Sequence, residues 1–203
     1  MTMNKGMLII LSGPSGCGKG TMLKEVIGRT NCEVSVSATT RPMRTGDIDG
    51  VQYHFVTKEA FEACIQNNEL LEYAEYCNHY YGTLKSNVEA IRAKGKHVIL
   101  EIEVQGALTV MESHPDAVTI FTVPPSLEEL RRRLRKRGTE DEATIEKRVA
   151  RAKEEIPFAP RYQYIVWNDK LEDAVDDFCA IIQAEANRAV NCKERIGALI
   201  ESC

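Results

Sequence analysis

A glycine-rich segment near the N-terminus constrains this chain more than any other feature. Residues 13–19 read Gly-Pro-Ser-Gly-Cys-Gly-Lys, which matches the pattern G-x-x-x-x-G-K. The apolar run Leu8–Leu11 precedes it like a buried parallel strand, and the helix-like stretch Lys19–Ile27 follows it. In that setting the glycines let backbone N–H groups surround phosphate oxygens, and the helix N-terminus adds partial positive charge. The segment therefore predicts a phosphate-binding loop, with Lys19 reaching the β and γ phosphates of a nucleotide.

The position after the loop lysine departs from the usual pattern. A Ser or Thr normally follows the lysine and binds Mg²⁺, but this chain has Gly20 and then Thr21. A hydroxyl group therefore cannot ligate the metal at the usual position. Two alternatives remain open: Thr21 substitutes, or phosphate oxygens, water and an acidic residue elsewhere hold the ion, which keeps several waters in such sites.

Strand-like and helix-like segments alternate along the chain, which favours an α/β fold with a mainly parallel sheet. Further strands are expected at Glu33–Val36, His97–Ile102, Ala117–Val123 and Tyr164–Trp167. Helix start signals begin at Ser86, Ser126 and Thr139, helix ends are expected at Gly28, Gly95 and Gly138, and a last helix is expected at about Leu171–Ala189. Residues 37–83 interrupt the alternation with turns, short β-like pieces, one helix near Thr57 and many aromatic residues. We expect an inserted mixed α/β subdomain there.

A strongly basic run contrasts with the acidic character of the whole chain. The formal net charge of −4 argues against a general nucleic-acid binder. Residues 131–137 nevertheless hold six positive charges, on a helix whose leucines at 127, 130 and 134 form an apolar stripe. Arg133 and Arg137 share one helical face, and we expect an anionic ligand at this run. The remaining basic residues of the run are interpreted as solvated surface: Arg131, Arg132, Arg135 and Lys136.

Composition excludes several other classes of protein. Apolar residues make up 43% and charged residues 28%, the balance of a globular chain. The apolar run Met7–Leu11 is far too short to cross a bilayer, which takes about 20 residues. Seven scattered cysteines without CxxC spacing indicate neither a zinc site nor a disulfide framework. We expect a cytoplasmic protein with reduced thiols.

Several motifs in chain order resemble those of the guanylate kinase family, over about residues 6–188. They are the phosphate loop through Thr21 and the segments 35–44, 46–53, 80–83 and 101–106. The resemblance implies a P-loop kinase with a five-stranded, mainly parallel sheet flanked by helices. Its core would comprise residues 6–36, 84–125 and 157–188, with an acceptor-binding insert at 37–83, a helical lid at 126–156 and a C-terminal tail at 189–203.

The resemblance also implies a transferase activity of purine nucleotide metabolism: direct in-line transfer of the γ-phosphoryl group of ATP to GMP, and also to dGMP, giving ADP and GDP. Its cofactor is Mg²⁺, held through phosphates and water, with Thr21 and Glu101 as further contacts. The implied catalytic residues are Lys19, Arg44, Arg137 and Arg148. The implied ATP-binding residues are Gly13, Pro14, Ser15, Gly16, Cys17, Gly18, Lys19, Gly20, Thr21, Arg133, Arg137 and Asn168. The implied GMP-binding residues are Ser37, Arg41, Arg44, Asp47, Tyr53, Glu72, Tyr81, Thr83 and Glu103.

The acceptor residues make chemical sense beside the resemblance. Arg41 and Arg44 can fork onto a phosphate, and guanine presents two N–H donors that a carboxylate accepts while adenine does not. The resemblance assigns that carboxylate to Glu72, although Glu69 and Glu75 are close rivals. Asp47 stands where the family commonly has Glu, which leaves its contact open.

Two other functions remain as alternatives: a monophosphate kinase for another base, and a non-catalytic guanylate-kinase-like interaction module. We expect ATP and GMP as ligands, and no nucleic acid, membrane or obligatory protein partner.

Overall fold

The computed structural model describes residues 5–76, 78–138 and 141–202. In chain order its elements are β1 (Leu8–Ser12), α1 (Lys19–Arg29), β2 (Cys32–Val34), β3 (Ala38–Thr39), β4 (His54–Phe55), α2 (Lys58–Gln66), β5 (Leu70–Tyr76), β6 (His79–Leu84), α3 (Lys85–Ala93), β7 (His97–Glu101), α4 (Val104–Ser113), β8 (Val118–Val123), α5 (Leu127–Arg137), α6 (Glu142–Glu155), β9 (Tyr164–Trp167), α7 (Leu171–Ala186) and α8 (Lys193–Glu201).

A five-stranded parallel sheet, in the order β2-β7-β1-β8-β9, forms the main layer of the fold. Side chains alternate along β1, so that Ile9 and Leu11 pack in the core with α1 and α7, whereas Leu8 and Ile10 pack in the core with α3 and α4. Because helices cover both faces, the strands are nearly continuous apolar runs. The predicted parallel sheet flanked by helices is thus confirmed. The carboxyl ends of its strands meet at one edge, where ligands bind in open α/β sheets.

The chain between β2 and α3 forms a second, four-stranded sheet in the order β4-β3-β6-β5. Its pairs are partly parallel and partly antiparallel, as expected for a mixed insert. Phe61 of α2 is fully buried against this sheet together with Ala38 and Leu70, and the ring of Tyr80 stacks on it at 5.3 Å between centroids. The insert therefore has a small core of its own.

Helices α5 and α6 pack on each other through a third apolar cluster. Leu130 and Leu134 of α5 meet Ile145, Val149 and Ala152 of α6. The hydroxyl of Ser126 accepts a hydrogen bond from the backbone N–H of Glu129, and Gly138 ends α5 in the left-handed conformation, both as predicted. Helix α6 begins at Asp141, whose carboxylate accepts from the N–H of Thr144. The start expected at Thr139 is wrong by two residues, and Thr139 itself lies outside the described residues.

Three other helix boundaries differ from the predictions. Helix α1 continues through Gly28 to Arg29, and α3 begins at Lys85, so that Ser86 lies inside it without capping it. Helix α7 ends at Ala186, and α8 follows in the segment expected to be a tail. Local capping signals alone therefore do not fix these helix ends. No helix in the described part of the chain is both long and apolar enough to cross a membrane.

Candidate active site

The loop between β1 and α1 is built from backbone that only glycine adopts easily. Gly13, Gly16 and Gly18 have φ angles of 148°, 94° and 97°. A Cβ atom at Gly13 would lie 2.2 Å from the carbonyl oxygen of Thr122, and one at Gly16 would lie 2.7 Å from the side chain of Leu134. Strand β8 and helix α5 therefore close tightly over this loop, and a side chain at either position would displace them.

Lys19, the first residue of α1, crosses the loop. Its ammonium group donates to the carbonyl oxygens of Gly13 at 2.6 Å and of Pro14 at 3.3 Å. Burial alone would lower the pKa of Lys19. Nearby acidic groups outweigh burial and raise the pKa overall; Cys17 contributes most, followed by Glu101, Glu103 and Glu155. The fully described first turn of α1 holds no acidic residue and no capping side chain. The loop thus presents a protonated amine and a helix N-terminus to an anion.

A cleft of about 440 Å³ lies beside the loop. The guanidinium group of Arg133 donates to the carbonyl oxygens of Cys17 at 3.4 Å and of Asp169 at 3.3 Å. The buried side-chain amide of Asn168 also donates to the Cys17 carbonyl oxygen, at 2.8 Å. The residues lining the cleft are Gly16, Gly18, Thr21, Arg133, Lys136, Asn168, Asp169 and Leu171. Lys136, which was interpreted as solvated surface, is exposed and also borders this cleft. Asp169 and Leu171 were missed, because only the end of β9 brings them to the loop.

Helix α6 also reaches the phosphate loop. The guanidinium group of Arg148, on α6, donates to the hydroxyl of Ser15 at 2.5 Å. Arg137 is the last residue of α5, and its side chain lies outside what the structure describes. The other arginines of the basic run form ion pairs at the surface: Arg131 with Glu146, Arg132 with Glu129 and Arg135 with Glu142.

A buried carboxylate and a hydroxyl face each other in the inserted sheet. Glu72 on β5 is in register with Thr83 on β6, and the Thr83 hydroxyl donates to Glu72 Oε1 at 2.7 Å. Glu72 is only 6% exposed, whereas its rivals Glu69 and Glu75 are exposed. Burial raises the pKa of Glu72, and the hydrogen bonds from Thr83 oppose that rise. Burial therefore distinguishes Glu72 from the two neighbouring glutamates.

Arg41 is held in place by Asp47 and by two aromatic rings. Its guanidinium group donates to Asp47 Oδ2 at 2.9 Å and lies 5.6 Å and 5.4 Å from the ring centroids of Tyr53 and Phe55. The same Asp47 oxygen accepts from the backbone N–H of Arg44 at 2.9 Å. Both hydrogen bonds lower the pKa of Asp47, and the one from the N–H of Arg44 has the larger effect. Asp47 thus joins the guanidinium group of Arg41 to the backbone of Arg44, which answers the question that the sequence left open about its contact.

Other residues predicted to bind the acceptor also lie in the insert. The rings of Tyr53 and Tyr81 meet edge to face at 5.6 Å between centroids, and burial raises the pKa of Tyr53. The side chain of Arg44 is exposed. Ser37 is half-buried just before β3, and its carbonyl accepts from the N–H of His54 at 2.9 Å.

Two carboxylates lie between the phosphate loop and the insert. Glu101 ends β7, and Glu103 is the residue from which α4 begins. Their charges raise the pKa of Lys19 in the loop and that of Tyr53 in the insert. Arg151 of α6 lies 3.5 Å from Glu103 and donates to Glu155 at 2.8 Å. The sequence reasoning missed Arg151 and Glu155, because nothing in their spacing indicates that α6 packs here.

The donor groups at this edge fit a magnesium ion that is carried mainly by phosphates. Among the described residues, no group of three or more His, Cys, Asp or Glu side chains could hold a metal ion by itself. Mg²⁺ usually takes one or two carboxylates together with substrate phosphates and water. Glu101 is an exposed carboxylate of that kind beside Lys19. At Gly20 a Cβ atom would meet nothing within 4 Å, so sterics do not explain the missing hydroxyl.

Comparisons with known proteins agree with one another. A protein-family model described as "Guanylate kinase" matches residues 5–185. A guanylate kinase of Clostridium tetani is 49% identical over 194 residues, covering 96% of this chain and 93% of that protein. One of Halalkalibacterium halodurans is 50% identical over 202 residues, covering 99% of each. The crystal structure of guanylate kinase from Anaplasma phagocytophilum matches with a TM-score of 0.76 at 34% identity, covering 93% of this chain and 90% of that one.

Proposed function

This chain belongs to the guanylate kinase family, and we propose from that premise that it transfers the γ-phosphoryl group of ATP to GMP, giving ADP and GDP. The observation that carries the acceptor half of the proposal is the buried pair of Glu72 and Thr83. A carboxylate accepts from both the N1–H and the N2 amino group of guanine. Adenine has no such pair of donors, so its binding would leave the buried carboxylate unpaired, which is strongly unfavourable.

The acceptor phosphate would bind opposite the base, on the arginine pair that Asp47 organises. Arg41 and Arg44 supply guanidinium groups, which recognise phosphate through paired hydrogen bonds. Tyr53 and Tyr81 lie on the same side and can donate their phenolic hydroxyls. Ser37 would contact guanine O6 together with Thr83, and Glu103 would complete the base site at the start of α4.

The donor nucleotide would bind along the phosphate loop and the cleft beside it. The loop N–H groups and Lys19 would hold the phosphates, while Arg133 and Asn168 form the wall against which the adenosine part lies. Glu101 and Thr21 are the residues of this edge that would contact the metal directly or through water. Mg²⁺ supplied with ATP would neutralise phosphate charge at this edge.

Phosphoryl transfer would then depend on positioning and charge, without a covalent intermediate. The transferred group spreads negative charge over its equatorial oxygens, and protonated Lys19 and the arginines Arg44, Arg137 and Arg148 would neutralise it. Arg148 already reaches the loop through Ser15. Closure of α5 and α6 over the phosphates would exclude water and so suppress ATP hydrolysis.

The direct test is an ADP-release assay with Mg²⁺-ATP and GMP, dGMP, AMP, CMP or UMP in parallel. Turnover restricted to GMP and dGMP is expected. Preferential turnover of AMP or a pyrimidine nucleotide would overturn the acceptor assignment while leaving the donor site intact. Absence of turnover with all five, from folded protein that binds GMP by calorimetry, would instead indicate a non-catalytic module.

A further inference from the structure

Gly106, in the first turn of α4, makes the space that the Glu72 carboxylate occupies. A Cβ atom built on Gly106 would lie 2.4 Å from Glu72 Oε2 and 3.1 Å from its Cδ. Real Cβ atoms do not approach oxygen that closely. Gly106 is buried and helical, and its φ angle is not among the positive values found in this chain. Backbone conformation therefore does not require glycine here, whereas the position of Glu72 does.

The neighbour of Gly106 decides how a clash would be relieved. All three nearest atoms belong to the end of the Glu72 side chain, which is flexible, and none belongs to backbone. At Gly13, by contrast, the nearest atoms are the backbone of Thr122. An added methyl group at position 106 would therefore move the carboxylate and leave the fold in place. Since glycine lowers helix stability relative to alanine, the glycine at 106 favours the pocket at the expense of the helix.

The same contact places Glu72 beside a helix N-terminus. Gly106 is the third residue of α4, and the first N–H groups of a helix have no partner within it and carry partial positive charge. The first turn of α4, fully described, contains no acidic residue, and Glu103 makes no side-chain capping bond. The carboxylate of Glu72 is thus the acidic group brought against this turn. Gly106 permits this close approach of the carboxylate, whose ionised form is the one that accepts from guanine.

We propose that Gly106 is a specificity-determining position: its missing side chain seats the Glu72 carboxylate where it reads the N1–H and N2 amino donors of guanine. This inference rests on the proposed function. Gly106 itself acts only as a positioning residue, through Glu72.

The experiment compares Gly106→Ala with two helical glycines whose Cβ atoms would meet nothing within 4 Å, using Gly28→Ala in α1 and Gly197→Ala in α8. Steady-state constants are measured with GMP and with IMP, which lacks the N2 amino group. For Gly106→Ala we expect kcat/KM with GMP to fall by about 100-fold, the loss that a displacement of about 1 Å can cause. The GMP-to-IMP preference should shrink while the KM for ATP stays unchanged. Both control variants should retain wild-type constants.

A double variant tests whether the effect passes through Glu72. Glu72→Asp shortens the side chain by one methylene, so the added methyl group has room, and Gly106→Ala should cost far less in that background. Equal losses in both backgrounds, or an unchanged GMP-to-IMP preference, would overturn the proposal. If Gly106→Ala fails to fold by circular dichroism, a folded Glu72→Asp/Gly106→Ala variant supports the proposal, and an unfolded one overturns it. An inactive wild type refutes the proposed function, whereas an active wild type with an unaffected Gly106→Ala variant refutes this inference alone.

Discussion

The phosphate loop and the acceptor pocket use different parts of the chain to make a binding site. The loop is backbone: glycines at positive φ, a helix N-terminus, and carbonyl oxygens that anchor Lys19 and Arg133. The acceptor pocket is made of side chains from several elements, with the pair of Glu72 and Thr83 at its base. Backbone groups are alike in every protein and recognise phosphate, which is alike in every nucleotide. Side chains differ, and they recognise the base, which also differs.

Lys19→Met has the largest expected effect. It tests the one charged side chain in a loop that otherwise binds through backbone groups. The substitution keeps the length of the side chain but removes the ammonium group that neutralises phosphate charge. We expect kcat to fall about 1000-fold, the loss typical of removing a preorganised group that stabilises a transition state. The fall in kcat is measured by the rate of GDP formation at saturating substrates. The affinity for GMP, measured by calorimetry, should stay near the wild-type value. Loss of GMP binding would show that the two regions are not independent.

Glu72→Gln tests the side-chain site with the smallest possible change of shape. The amide turns one acceptor into a donor that opposes the N–H groups of guanine, so we expect kcat/KM with GMP to fall by about 100-fold. The KM for ATP should not change. Glu75→Gln, on the same strand but exposed, is the matched control and should behave as wild type. Retained GMP preference in Glu72→Gln would contradict the assignment of Glu72.

Asp47→Ala tests the support behind the phosphate arginines. Loss of the carboxylate frees Arg41 and the N–H of Arg44, so we expect the KM for GMP to rise by about tenfold, with kcat less affected. Asp176→Ala removes a comparable Asp–Arg pair on the outer surface of α7 and is the control. If both variants leave the KM unchanged, Asp47 does not organise the acceptor arginines.

The pH dependence of GMP binding provides the smallest effect. Burial raises the pKa of Glu72 above its ordinary value of 4.5, and guanine requires the ionised form. The KM for GMP should therefore rise as the pH falls towards that pKa, while Glu72→Gln shows a flat profile. Because the folded-state pKa is raised, the contribution of Glu72 to stability is present at acid pH and is lost as the pH rises through that pKa. Glu72→Gln should therefore gain stability relative to wild type, and thermal unfolding should show a larger gain at pH 7 than at pH 4.

The sequence predicts the phosphate loop better than the acceptor pocket, because the loop is made of adjacent backbone groups and the pocket of side chains from several elements. The phosphate loop is a run of adjacent residues between a strand and a helix, so the identity and the spacing of its glycines were sufficient. Glu72 could not be separated from Glu69 and Glu75 without the family resemblance, since its burial arises from the pairing of β5 with β6 and from α4. Arg151 left no signal at all, because its contact with Glu103 depends on how α6 packs beside α4. The parallel sheet was predictable from alternating segments, whereas helix ends such as that of α1 were not fixed by local capping signals.

The small core around Phe61 has a consequence for how base preference can evolve. The insert has an apolar core of its own, with Ala38 and Leu70 among its residues, and Leu71 of β5 packs on the core between the parallel sheet and helices α3 and α4. Mutations at its polar positions can therefore accumulate without loosening the scaffold that handles ATP. A descendant of this chain could acquire a different acceptor by changing residues 37–83 and the glycine that faces them from α4, while its phosphate loop stays the same.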